Sequence, residues 1–180
     1  LADFETVLKK DLAKAGNEKR FAKDKKFWDD QLDALGEPLY SDIQGPSVLE
    51  EARKRHGNPK LRSSDIEMKD LFVAVKDYYL EPGPTKNLID FCMNHQLSMT
   101  NLLLLGIRTY LSKVNNGQED ITIQNFISRR STHDEWTSGG SRTIMFPCRT
   151  VIAPETDFLS AAYEIQNMQN RIYMHSNYDP

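Results

Sequence analysis

The sequence predicts a layered α/β sandwich, with helices packed against a sheet, and three observations carry that expectation. Residues Lys69 to Leu80 are apolar on both alternating faces, as in a strand covered by layers on each side. Two further segments, from Ile121 to Ile127 and from Arg142 to Ile152, alternate at the strand period. Between and after them the apolar residues return at the helical period, giving the order strand, helix, helix, strand, loop, strand, helix.

Residues 1–35 read as two amphipathic helices. Phe4, Val7, Leu8 and Leu12 share one face, Gly16-Asn17 breaks the pattern, and Phe21, Trp28, Leu32 and Leu35 share a second face. Eight basic and eight acidic residues make this stretch a mixed, solvated surface. Gly36 to Pro46 is loop. Ser47-Val48-Leu49-Glu50 has the form of a capping box opening a short helix that stops near Gly57, and Asn58 to Ser64 is loop again.

After the strand of residues 69–80, Pro82-Gly83-Pro84 is a stop, and Thr85 is placed to cap a helix bearing Leu88, Ile89, Phe91 and Cys92. A second helix follows, capped by Ser98 or Thr100. It is apolar nearly all round from Leu102 to Val114, the pattern of a central buried helix. Asn116-Gly117 is a turn signal. Residues 129–140 form a polar loop interrupted by Trp136. In the next strand Ile144, Phe146 and Cys148 share a face, and Pro147 belongs at an edge, a bulge or a break in pairing. Thr156-Asp157 caps the last helix, whose stripe runs through Phe158, Ala162, Ile165, Met168 and Ile172.

With 180 residues, 39% hydrophobic and 27% charged, the chain is long enough to bury a core. A net charge of −3 gives no general attraction to nucleic acid or to an anionic membrane. The apolar run from Leu102 to Ile107 is far shorter than a membrane span, and no signal-peptide pattern is read. Cys92 and Cys148, far apart and within apolar stretches, read as reduced buried thiols of a cytoplasmic protein. A first residue other than methionine, and an end directly after a helical pattern, read as a piece of a longer polypeptide.

Little standard site chemistry is present. The four histidines have no metal-ligand spacing, and neither a phosphate-cradling glycine motif nor Gly-x-Ser-x-Gly occurs. His133-Asp134-Glu135 could pair a base with an orienting carboxylate, or could be plain solvated surface. His95 and His175 lie where helix ends can be capped. Arg129-Arg130 either neutralises Asp134 and Glu135 or binds a phosphate through its guanidinium forks.

Five segments, in order, carry a family likeness. They are Phe27-Trp28 followed by Leu32; Asn116-Gly117-Gln118-Glu119-Asp120-Ile121; Ser128-Arg129-Arg130; Gly140 through Pro147 to Arg149; and His175 to Pro180. Together they resemble the C-terminal half of a condensation domain of nonribosomal peptide synthetases. The likeness departs at Ile144, where the family has asparagine, at Ser141 and Arg142 in place of aromatics, and at residues 45–60, helical where the family has a proline-rich loop.

The resemblance implies one subdomain of a chloramphenicol-acetyltransferase-like fold, a sheet covered by helices. Residues 1–35 would connect to an N-terminal half, and residues 36–180 would form the C-terminal subdomain. The intact parent would be an acyltransferase joining carrier-bound thioesters through an amide bond. Its partners would be the N-terminal half and acyl or peptidyl carrier proteins, which bring phosphopantetheine, with no cofactor bound directly. The family's His-His-x-x-x-Asp-Gly signature is absent from these 180 residues, so no catalytic residue is expected here and the segment alone is expected to be inactive. The residues expected to line the channel or its loop are Ser128, Arg129, Arg130, Gly140, Arg142, Thr143 and Arg149. Two other readings stand beside this one: a non-catalytic carrier-docking module of the same fold, and, more distantly, a helical-hairpin interaction protein. A piece lacking its partner half is also expected to expose apolar surface and self-associate.

Overall fold

The computed structural model describes residues 3–32, 35–36, 39–61 and 74–178. Among them run helices α1 (Phe4–Ala15), α2 (Glu18–Leu32), α3 (Pro46–His56), α4 (Pro82–Asn94) and α5 (Met99–Val114). Strand β1 (Asp120–Ser128), helix α6 (His133–Thr137), strand β2 (Thr143–Val151) and helix α7 (Phe158–Met174) follow. The chain divides into two compact units. One comprises Leu1–Pro38, Thr122–Arg149 and Asn167–Pro180, and the other Leu39–Ile121 and Thr150–Gln166.

In the first unit, Asp3 caps α1 by accepting the Glu5 N–H, and α1 and α2 break at Gly16-Asn17 as the sequence predicts. The buried face of α2 is made by Asp24, Phe27 and Trp28. Trp28 stacks on Phe146 of β2 with centroids 5.3 Å apart, and its indole N–H donates to the His175 carbonyl at 3.1 Å. Ile127, Cys148 and Ile172 complete a cluster against which Ile123, Ile144 and Met168 pack. The expected stripes of α1 and α2 are only partly buried: Val7 is inside, whereas Phe4, Leu8, Leu12, Phe21 and Leu35 are exposed.

The described strands form a two-stranded sheet. The Arg129 N–H donates to Arg142 and the Ile152 N–H to Glu119, which is an antiparallel register. That register sets Phe126 opposite Met145 on an outer face where both are exposed. It also sets Pro147 opposite Gln124, at a position where an N–H would point away from β1, so proline costs this ladder nothing.

The second unit centres on α5. Ser98 caps it, accepting the Asn101 N–H at 3.1 Å. Leu102, Leu104 and Leu105 are buried, as are Leu49, Ala52, Cys92, Ile121 and Ile165 of the same unit. Arg108 is buried here, and its guanidinium donates to the Glu119 carbonyl and to the Ile152 carbonyl at 3.2 Å. Burial lowers its pKa, and the charges of Glu119 and Asp120 act in the opposite direction. Asn115 is also buried and bonds the Asp42 N–H and carbonyl, fixing residues 39–45 beside the end of α5. Asn116 and Gly117 take positive φ angles of 61° and 77°, the turn their dipeptide predicts.

Four expectations are corrected. Residues 74–80 belong to no strand, and Val75, Tyr78, Tyr79 and Leu80 are largely exposed; Lys69 to Val73 lie outside the described residues. Apolar alternation records what a side chain would bury, but a ladder also needs a partner strand. Helix α5 is not buried all round, because Leu103, Ile107 and Tyr110 present an exposed stripe. Ser47 makes no cap: Gly45 is the N-cap, and Pro46, with φ preset for a helix, starts α3 earlier. Thr85 likewise lies inside α4, which Pro82 begins, and its hydroxyl donates to the Glu81 carbonyl.

Replacing Trp28 by Phe removes the donor to His175 and leaves a void beside Phe146. It is expected to destabilise the first unit by about 2 kcal/mol, read as a lower urea midpoint in a denaturation monitored by circular dichroism.

Candidate functional site

The candidate site is the loop between β1 and β2, residues 128–143, which lies wholly in the first unit. The polar loop expected from sequence holds a short helix, α6. Thr132 and Glu135 form a full capping box around α6: the Thr132 hydroxyl accepts the Glu135 N–H, and the Glu135 carboxylate reaches back to the Thr132 N–H at 2.9 Å.

Glu135 is 4% exposed and does more than cap. Its Oε2 also accepts the Ser131 N–H and hydroxyl, each at 2.8 Å. Its Oε1 accepts Lys14 Nζ of α1 at 3.3 Å and Arg142 at 3.4 Å. Burial pushes this carboxyl up, but the bonds from Ser131, Thr132 and Lys14 outweigh it and hold Glu135 well below the usual carboxylate range. Arg142, its side chain 8% exposed, forks onto Asp11 at 2.6 and 3.2 Å. The bond from Arg142 is the largest cause of a lowered Asp11 pKa. On the surface Lys10 meets Asp134 at 2.6 Å. His133-Asp134-Glu135 is therefore no base with an orienting carboxylate, since both acids are committed to cations and to the cap.

Arg130 supplies the complementary half of the frame. It donates to the backbone carbonyls of Glu135, Ser138 at 3.0 Å and Gly140 at 2.6 Å. Gly140 adopts a φ of 83°, and a Cβ there would stand 2.9 Å from the Phe4 ring, so both backbone and space call for glycine. Arg129 is not spent in the same way: its side chain makes one bond, at 3.4 Å, to Asn177. Thr143 opens β2 on its exposed side. Arg149 is buried and lies apart from the loop, donating to the carbonyls of Gln31 in the last turn of α2 and of Leu35 and Gly36 beyond it, at 2.8 to 3.3 Å. Ile144 packs against the core cluster.

His175 also departs from a simple helix cap. Its Nδ1 lies 2.8 Å from Asp24 Oδ1, and its ring stacks on Phe27 at 4.3 Å. His95 is the C-cap residue of α4 through its backbone N–H, with its ring against Phe91. Sequence reasoning missed Asp11, Lys14, Arg20 and Asp24. The first two are ordinary charges on a mixed helix, and nothing local marks their partners more than a hundred residues away. The Thr132-x-x-Glu135 pattern, by contrast, was a readable signal. Among the described residues no cluster of His, Cys, Asp and Glu could hold a metal ion, and no helix is long and apolar enough to cross a membrane.

Comparison with known proteins matches the condensation-domain family over residues 6–179, and the chain belongs to that family. Solved structures agree on the fold. The first condensation domain of the calcium-dependent antibiotic synthetase, in complex with a substrate analogue, superposes with a TM-score of 0.73 at 15% identity. That match covers 99% of this chain and 36% of the solved one. A second crystal structure of the first condensation domain of this synthetase gives 0.74 at 14% identity, covering 99% and 35%. The chain thus spans about a third of the length of these structures. No curated protein sequence matches it. The α/β fold expected from sequence is the fold observed.

Glu135, Asp11 and Asp134 all have lowered pKa values, so each stabilises the fold at neutral pH and loses that contribution as pH falls through the folded-state value. Glu135→Gln is expected to flatten the dependence of melting temperature on pH below about 4.3, the ordinary glutamate value. Melting curves from neutral to strongly acidic pH check this. A second expectation is that Arg130→Met costs about 2–3 kcal/mol, because three carbonyls lose a charged donor. It should also raise amide exchange selectively in residues 131–141.

Proposed function

We propose that this chain is the C-terminal half of a condensation domain whose parent joins carrier-bound thioesters in nonribosomal peptide synthesis. The observation that carries this reading is a family match running through nearly the whole chain, which nevertheless spans 36% of a solved condensation-domain chain. In the parent reaction the acceptor amine nitrogen attacks the thioester carbonyl carbon. The C–N bond forms, the C–S bond breaks, and the proton lost by the amine ends on the departing thiol. A positioned base would contribute typically ~10²–10⁴-fold. It would come from the other half, because no His-His pair occurs in this sequence.

This half would supply a wall. Ser128, Arg129 and Thr143 would present the substrate-facing side of a loop that Glu135, Arg130, Arg142 and Gly140 hold in one shape. Arg149 would brace the end of the connector, where the chain leaves α2. Phosphopantetheine would arrive on acyl or peptidyl carrier proteins. Ile144 packs against the core cluster, so the residue that replaces the family's asparagine serves packing here.

Reading the coding DNA upstream of Leu1 tests the assignment. A His-His-x-x-x-Asp-Gly motif within about 200 residues, one further domain-sized unit, is the expected result. Co-expressed with that half, this chain should copurify and form an amide from two loaded carriers, and His→Ala at the second motif histidine should abolish the product. An upstream half without the motif would favour carrier docking without catalysis. No such half would sink the reading.

A further inference from the structure

We infer that a polar cavity beside the braced loop is a binding site for the phosphate group of an ester. The cavity has a volume of ≈ 210 Å³, below the usual size of a site for a drug-sized ligand. Its lining carries the cations Lys14, Arg20, Arg129 and Arg142 and the carboxylate Glu135.

 Two of these cations are already committed. Lys14 is paired with Glu135, and Arg142 forks onto Asp11 and reaches Glu135. Glu135 in turn accepts donors on both oxygens, from the loop and from α1, so its charge is matched.

Arg129 and Arg20 are the remainder. Arg129 makes one long side-chain bond, to Asn177 Oδ1 at 3.4 Å. The Nε of Arg20 lies 3.9 Å from Asp24 Oδ2, while the other oxygen of Asp24 serves His175 at 2.8 Å. Two guanidinium groups therefore line one small cavity with most of their donors uncommitted. A guanidinium fork matches two phosphate oxygens, and two forks match the charge of a phosphate better than that of a single carboxylate. Ser128, Tyr173 and Asn177 add neutral polar groups to the same lining. The size admits a phosphate group and leaves the organic part of the ester outside. The arginine pair legible in the sequence is thus divided by the fold: Arg130 is spent on carbonyls, and Arg129 is joined instead by Arg20 of α2.

This inference rests on the proposed function only for the identity of the ester, which would then be the phosphopantetheine arm of a carrier protein. Free inorganic phosphate shares the chemistry. The test titrates the 180-residue chain with inorganic phosphate, 4′-phosphopantetheine and pantetheine, following backbone amide shifts by NMR. Both phosphates should shift residues 128–131 and 173–177, and pantetheine should not. Arg129→Gln and Arg20→Gln should each weaken phosphopantetheine binding about tenfold, the equivalent of one charge-assisted hydrogen bond. Arg129→Lys should recover part of that loss, and added salt should weaken binding in the unmodified chain. Tighter binding of phosphopantetheine than of inorganic phosphate supports the carrier arm as the source, and equal binding supports the anion site alone. Equal binding of pantetheine and phosphopantetheine, no binding of either phosphate, or full binding by both glutamine variants would overturn the inference. The readout needs no condensation activity, so a failed amide assay would count against the proposed function and leave this site standing.

Discussion

The carboxylate of Glu135 sits in a nearly dry position where an unmatched charge would be expelled, and its donors come from three separate places. Ser131 and Thr132 belong to its own loop, Lys14 to α1, and Arg142 to the far end of the loop. Satisfying one anion therefore fixes where three segments lie. Arg130 does the converse for the loop carbonyls at 135, 138 and 140. Between them, the acid and the base satisfy backbone groups that no regular secondary structure pairs. A wall built from such a loop keeps one shape without being a strand or a long helix.

The same device recurs. Arg108, Arg130 and Arg149 each direct a guanidinium at two or three backbone carbonyls. These carbonyls end irregular stretches, where the chain enters a strand, rounds the loop or leaves α2. Arginine suits the task because its planar fork offers five donors and keeps its charge when buried, whereas lysine offers a compact point. Positive charge in this chain thus often serves the backbone.

Helices α1, α2, α5 and α7 and both described strands were legible from local pattern, because each carries its own period and its own punctuation. The Asn116-Gly117 turn and the Ser98 cap were legible for the same reason. Failures arose where an outcome depends on a competitor or a partner. The serine at 47 lost its capping role because Pro46 nucleates the helix first, while an equivalent pattern at Thr132 succeeded in a place no apolar period advertised. Residues 74–80 have strand composition but no paired neighbour among the described residues. In the candidate site, Arg130 and Gly140 could be picked out by family likeness. The Lys14–Glu135 and Asp11–Arg142 pairs could not, since both join residues more than a hundred positions apart.

Pro147 has an effect beyond its own pair. The two strands meet along one side each, and at position 147 the outer side of β2 offers a ring carbon where a strand would offer an N–H. A neighbouring chain approaching that border finds an interrupted row of donors. Stacking of one copy on another through this border is discouraged at its middle.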